Sequence, residues 1–338
     1  MQFCKTYKDI PEYIKSRLCD ANVFYTPEYE NNVLLRHQTI IYLWDEREIL
    51  VARMKKVLFL KAAVLDSEPY IYGEGINTKA FLDEAMQVLK DNGVQWTVCS
   101  TTAMFNNYPQ KSRVVPSGDY VIDLSLSEEE LWGNVHSKHR NSIRKGEKDG
   151  IVIQFGSNDE QIKDYSELSK ETYERSNLDG SDVNYYKSLI EGLEKYTVLA
   201  FAKDAKDVLQ SAGMFYYNKN IAYYLHGASI RKPSPGATNY LLWTTIMHFK
   251  QMGVRRFSFV GYHNNAEPGS KLDGIQRFKE RFGGPLVPSY NFKYIQYKFA
   301  YKLFSIAMQL KSRNIFKTYK DSIDEQIEEF GYEDLNNN

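Results

Sequence analysis

The chain has 338 residues, 43 % apolar and 14 % aromatic, and its 43 basic and 43 acidic side chains cancel. That length exceeds a comfortable single core, so two domains are expected, and the neutral balance argues against DNA as a partner and leaves RNA only a local patch to meet. Cys4, Cys19 and Cys99 are too scattered for a disulfide framework or a metal site, no apolar run is long enough to span a bilayer, and MQFCKTYKDI lacks a signal-peptide core, so a soluble cytoplasmic protein without metal is expected.

Asn22 to Thr26 reads as a short apolar strand closed by Pro27. Thr39 to Trp44, Glu48 to Met54, Val57 to Leu65 and Tyr70 to Tyr72 are β-type runs parted by polar breaks, which predicts a meander. Asn77 caps a helix from Thr78 to Asp91, Gly93 stops it, and Val94 to Ser100 returns to strand. After Pro116-Ser-Gly, the strand Tyr120 to Leu124 leads to Ser127-Glu-Glu-Glu130, a capping box that opens one long helix. Trp132, Val135, His139 and Ile143 share one side of it. Lys138, Arg140, Arg144, Lys145 and Lys148 spread over the other, either as a solvated face or as a site for phosphates of a substrate or of RNA.

Ile151 to Phe155 is a strand, Asn158 caps a helix to about Ser176, Val183 to Lys195 is a second helix, and Thr197 to Lys203 and Leu209 to Tyr217 are strands. The next stretch, Ile221 to Gly261, reads as strand, irregular loop, helix, strand. Arg231-Lys232-Pro-Ser-Pro-Gly236 forbids regular structure and leaves two cations at the mouth of a helix that opens at Ala237 or Thr238 and ends at Gly253. Backbone amides of Gly236, Ala237, Thr238 and Asn239 then face one spot beside Arg231 and Lys232, which makes an anion site. The alternative is an ordinary connection with solvated cations.

Val254 to Val260 is the next strand, and a polar loop holding Tyr262 and His263 follows. Ile275 to Phe282 is a helix stopped by Gly283-Gly284. Phe278 and Phe282 lie one turn apart on its core side, so Lys279 points elsewhere. Tyr294 to Leu310 is a long aromatic and basic helix, interrupted by Lys298 and Lys302, that could pack across the domains or lie on a membrane surface. Asp321 to Phe330 is a short acidic helix, and the tail Glu333 to Asn338 is expected to be disordered.

Two junctions are alike: Lys90-Asp-Asn-Gly93-Val94 and Lys250-Gln-Met-Gly253-Val254. Each ends a helix and enters a strand, which suggests one α/β unit used twice.

Three segments then carry a resemblance: LWGNVHSKHRNSIRKGEKDGIVI, MGVRRFSFVG and DGIQRFKERFGG, within about residues 120–290. They resemble the Fem family of peptidoglycan-bridge aminoacyltransferases and their GNAT relatives, and the strand, Gly-containing turn and helix at Ile221 to Gly261 is similar to the GNAT donor site. The resemblance implies an α/β (α+β) fold of two tandem GNAT-like domains, each a mixed, largely antiparallel sheet flanked by helices. The first would hold 1–147 plus 296–338, and the second, 148–295, the donor site. It implies an N-acyltransferase in which an amine attacks the donor carbonyl directly, without a covalent intermediate, the donor being acyl-CoA and the acceptor a nucleotide- or lipid-linked cell-envelope precursor. Aminoacyl-tRNA as donor is the second reading, and a non-catalytic glycan- or peptide-binding duplicate the third. By the resemblance Lys279, with Phe278 beside it, stabilises the reacting ester. On chemistry alone His226 and His263 are candidate proton acceptors, while Lys138, Arg140, Arg144 and Tyr262 join Phe278 as candidate substrate contacts.

Overall fold

The computed structural model describes residues 1–175, 180–262, 266–311 and 320–330. In chain order its principal elements are β1 (Gln2–Cys4), α1 (Glu12–Lys15), α2 (Pro27–Leu35), β2 (Thr39–Trp44), β3 (Glu48–Val57), β4 (Leu60–Leu65), β5 (Tyr70–Ile71), α3 (Thr78–Asp91), β6 (Trp96–Cys99) and β7 (Arg113–Asp123). There follow α4 (Glu128–Asn134), α5 (Ser137–Lys148), β8 (Val152–Gly156), α6 (Asp159–Glu174), α7 (Val183–Ile190), β9 (Thr197–Lys203), β10 (Leu209–Tyr217), β11 (Ala222–Ser229), α8 (Ala237–Gln251), β12 (Arg256–Ser258), α9 (Lys271–Glu280), β13 (Leu286–Ile295), α10 (Lys298–Lys311) and α11 (Ser322–Phe330).

These elements form two units. The first holds Met1–Gly118 and the chain from Pro288; the second holds Asp119–Tyr262 and Ala266–Val287. The boundary expected at 147/148 falls instead on the last turn of α5. That helix belongs wholly to the second unit, because Leu131, Val135 and Ile143 pack into the same core as Leu241, Ile246, Phe249 and Phe257.

The sheet of the first unit runs β1-β2-β3-β4-β6-β13, and that of the second β7-β12-β11-β10-β9-β8. In the first, β4 and β6 pair in parallel and the other neighbours antiparallel. In the second, the parallel pair is β11 with β12. A parallel pair needs a crossover, which α3 supplies in one unit and α8 in the other. Both helices end alike: Gly93 and Gly253 each have φ 78°, and Val94 and Val254 donate their N–H groups to Leu89 and Phe249 at 3.1 and 3.0 Å. The mixed α/β architecture with helices flanking largely antiparallel sheets is therefore the one expected.

Local chemistry explains where elements depart from expectation. Asn22 to Thr26 is a 3₁₀ turn, not a strand, since the Asn22 side chain accepts from the Phe24 N–H and the buried Tyr25 hydroxyl lies 3.1 Å from the Ile49 carbonyl. Thr26 then caps α2 with Pro27 at its first position. The long helix expected from Ser127 is two. The capping box is present, but α4 ends at Asn134 and His136 starts α5, its Nδ1 accepting from the Lys138 N–H. Helix α7 stops at Ile190, short of Lys195, and β12 stops at Ser258, because Val260 and Gly261 turn the chain at φ 43° and 69°. Helix α9 begins at Lys271, four residues before the expected start, with Ser270 as its cap. Tyr294 and Ile295 belong to β13, so α10 begins at Lys298. The tail Glu333 to Asn338 lies outside the described residues.

In the first unit the α10 residues Tyr301 and Phe304 pack on Trp96, with ring centroids at 5.6 and 4.6 Å. There too the Arg53 guanidinium grips Asp66 through two nitrogens at 2.8 and 2.9 Å, and the Tyr29 hydroxyl donates to the same carboxylate at 2.6 Å. Burial pushes the Asp66 carboxyl up, and Arg53 more than reverses this and holds it below the ordinary carboxylate range.

Candidate active site

In the second unit, β11 and β12 lie side by side only briefly, through Ala222 with Phe257 and Tyr223 with Ser258. Beyond those pairs the two strands stop pairing, and their carboxyl ends carry most of the residues singled out in the sequence. On β11 the register against β10 slips: Tyr224 faces Phe215 and His226 faces Met214, so Leu225 is the extra residue of a bulge. A bulge leaves its extra backbone groups outside the ladder, here on the strand bordering the opening.

At the end of β12, Val260 is a β-branched residue held at φ 43°, a conformation that persists only when its surroundings impose it. Lys279 imposes it. From α9 its Nζ donates to the Val260 carbonyl and, at 2.8 Å, to that of Gly261. Burial lowers the ammonium pKa to about 8. Beneath it lies a group that the sequence reading did not single out. Asp119 is buried, its Oδ2 accepts from the Ser258 hydroxyl, and its Oδ1 has no hydrogen-bond partner among the described residues. Burial raises this carboxyl to about 7, although Ser258 and Lys279 pull it down. The one available signal was an acidic residue at the head of the apolar run Tyr120-Val-Ile. Asp119, Ser258 and Lys279 thus join a carboxyl and an ammonium that both titrate near neutrality at a strand end.

Phe278 and Tyr262 stand beside this group. The Phe278 carbonyl accepts from His139 Nε2 at 3.1 Å, and its ring lies 5.1 Å from the His139 imidazole. Burial lowers His139 to about 4, so it is neutral and its Nε2 carries the proton donated to the carbonyl, tying α5 to α9. The Tyr262 ring meets Tyr120 edge-on at 5.8 Å. His226 is half-buried on β11, and burial alone lowers its pKa, with no charged partner contributing. His263 lies outside the described residues.

The mouth of α8 follows β11. Gly236 is its N-cap at φ 89°, Ala237 is buried, and the Ala237 N–H is taken by the Ser234 carbonyl at 3.0 Å. The N–H groups of Thr238 and Asn239 find no acceptor among the described residues, and Arg231 and Lys232 are exposed just upstream. One flank of the mouth is walled by α5, for a side-chain carbon at Gly236 would sit 2.1 Å from the Ser142 carbonyl. The Arg231 to Asn239 segment therefore keeps an open side while its helix start is braced.

The basic face of α5 is thinner than its composition suggested. Arg140 turns inward, and its Nη1 donates to the carbonyls of Gly133 and Val135 at 3.0 and 2.6 Å, closing the end of α4. That nitrogen is therefore spent within the fold and is not available for the substrate contact expected of Arg140. Lys145 pairs with Asp149 at 2.8 Å. Arg144 lies over the Trp132 ring at 5.3 Å, with Trp243 behind at 5.0 Å, and Lys138 is exposed. Among the described residues no group of His, Cys, Asp and Glu side chains is placed to hold a metal ion, and no helix is long and apolar enough to cross a membrane.

Residues 50–203 match the FemAB family model, and residues 133–280 match that of the acetyltransferase (GNAT) domain. The second match spans α5, the α8 mouth and Lys279. Among solved structures, FemX superposes with a TM-score of 0.66 over 90 % of this chain and 99 % of its own, at 15 % identity. L-PGS from Bacillus licheniformis does so at 0.55, covering 92 % and 99 % at 12 % identity. At such identities the likeness is one of fold. No curated protein matches the chain by sequence.

Proposed function

We propose that this chain, a Fem-like acyltransferase of GNAT fold, moves an acyl group from acyl-CoA to an amine of a cell-envelope precursor in the cytoplasm. The observation that carries the donor is the α8 mouth. Two first-turn amides without acceptors, the Arg231 and Lys232 cations and a glycine N-cap are what a pyrophosphate needs, and a helix N-terminus favours its charge. Such a reaction needs no nucleophilic side chain, because the acceptor amine attacks the thioester carbonyl itself and the C–S bond then breaks to release the coenzyme A thiolate. What the protein must supply is a home for the developing oxyanion and a base for the amine proton.

Lys279 is the proposed oxyanion stabiliser. Two of its three N–H groups are spent on carbonyls, which fixes the ammonium and leaves one donor to aim. For the proton, His226 is neutral at pH 7 and able to accept. Asp119, buried behind Lys279, is a positioning residue that sets the charge of its neighbour. Arg144, Lys138 and Tyr262 remain candidates for acceptor contacts. The acceptor class, a nucleotide- or lipid-linked amino sugar or peptide, rests on the Fem likeness alone.

A second donor, aminoacyl-tRNA, is favoured by the FemAB match and by the exposed cations of α5. Consumption of Arg140 and Lys145 within the fold weakens that case. Thermal shift with coenzyme A and with charged tRNA tests the pair. Coenzyme A should raise the Tm, and Arg231→Ala with Lys232→Ala should weaken its binding about tenfold. Binding of charged tRNA alone, with a steep salt dependence, would overturn the thioester reading.

A further inference from the structure

Helix α10 is apolar on two opposite faces. Ala300, Tyr301, Phe304 and Met308 pack against Trp96, Leu60 and Ala62 in the first unit. Phe299, Leu303, Ile306 and Leu310, spaced four, three and four residues apart, line the other side and are 76, 39, 46 and 63 % exposed. An outward apolar stripe of this length on a helix already seated by its other face is unusual in a soluble domain.

A second exposed apolar feature belongs to the same cluster. Val57 and Leu60 pack into the cluster of Trp96, Tyr301 and Phe304, and between them the β3–β4 turn presents Leu58 and Phe59, 61 and 78 % exposed. Leu58 holds φ 58°, so the turn puts two large apolar side chains outward at a cost in backbone strain.

Charge identifies the occupant. Lys298 and Lys302 are exposed beside the stripe and Lys55 and Lys56 just before the turn, in a chain whose charges cancel overall, while Asp324 and Glu328 of α11 share one hollow with Lys298 and Lys302. Exposed Phe and Leu flanked by lysines suit the headgroup boundary of an anionic bilayer, where the rings enter and the ammonium groups meet phosphates. An apolar protein partner would not call for exposed lysines beside both apolar features. We infer that the first unit docks on anionic membrane surfaces through the Leu58–Phe59 turn and the Phe299–Leu310 stripe. Such a surface would hold the enzyme where lipid-linked precursors reside, but it does not depend on the donor or the acceptor.

The test is sedimentation of the full chain with vesicles of phosphatidylcholine alone and with one-third phosphatidylglycerol, without donor or acceptor present. Binding to the anionic vesicles only is expected. It should weaken about tenfold in Phe59→Ser with Phe299→Ser, and several-fold in 0.5 M salt. Both positions are exposed, so an unchanged Tm should confirm that the variant folds. Equal binding to both vesicles, none to either, or an unaltered variant would overturn the inference. So would a concentration-dependent dimer abolished by the same substitutions, which would assign the stripe to a second copy. Transferase activity on a water-soluble acceptor, measured beside it, is expected to be unaffected, so loss of docking and loss of catalysis read separately.

Discussion

Lys279 is held by backbone carbonyls rather than by a carboxylate, and this decides what its removal should do. With two bonds fixed and one donor free, its loss would, in the proposed role, take away stabilisation of charge that exists only during reaction. Lys279→Met should lower kcat by roughly 10²–10³, the usual effect of deleting one oxyanion donor, and leave the donor Kd within about threefold. A matched loss in both would make it a binding residue. The carboxyl beneath it sets a pH profile. Asp119 titrates near 7 and Lys279 near 8, so activity should rise as the carboxylate forms and fall as the ammonium is lost. In Asp119→Asn the acid limb should vanish while the alkaline limb remains. Stability carries the same signature. The unfolded carboxyl titrates at about 3.9, so the folded chain keeps a proton that the unfolded chain has lost, and Asp119's contribution is full below that pH and withdrawn as pH rises through 7. Denaturation midpoints from pH 5 to 8 should therefore fall more steeply in the parent than in Asp119→Asn.

Helix ends are where element-scale predictions separate. Gly236 and Gly253 both hold positive φ, but the space around them differs: Gly253 has nothing within 4 Å of an added carbon, while Gly236 meets the Ser142 carbonyl. Gly253→Ala should cost about 1 kcal/mol of backbone strain. Gly236→Ala should cost several times more in urea unfolding, because α5 would have to move away from α8. Such features also show what could be read in advance. Helix α8 was legible from Leu241, Leu242, Ile246 and Phe249 at helical spacing with a glycine at each end, and α3 from Asn77 and Gly93. The split between α4 and α5 was not, because it depends on Arg140 reaching back to the Gly133 and Val135 carbonyls. Likewise the strand β13 was hidden. Pro288 sits within it, and its burial follows no clean alternation, so nothing local distinguishes Leu286 to Ile295 from loop. In the site, Lys279 was legible only through family likeness. Asp119 was not, since what makes it unusual is burial beside two residues more than a hundred positions away.

At the scale of the molecule, the chain's return to the first unit is secured by a buried charge. Lys293 on β13 is fully buried, and its ammonium reaches Asp321 at 2.8 Å and Asp324 at 2.5 Å, both at the start of α11. Removing Lys293 leaves Asp321 without its cation and Asp324 with Arg113 alone. Lys293→Met should destabilise by roughly 3–5 kcal/mol and expose α11 to protease before the rest of the chain unfolds. Burial pushes the Asp321 carboxyl up, but Lys293 outweighs it and holds it below its ordinary value, so this anchor is strong above about pH 4 and loosens as pH falls further. Proteolysis of the parent chain at pH 3 should accordingly resemble that of the variant at neutral pH.

The two units close their crossover helices alike and open them differently. In the first, the Asn77 side chain plugs the start of α3 by accepting from the Ala80 N–H at 3.2 Å; in the second, a glycine without a side chain leaves the start of α8 unplugged. The same crossover thus closes its first turn on itself in one unit and leaves it without a side-chain cap in the other.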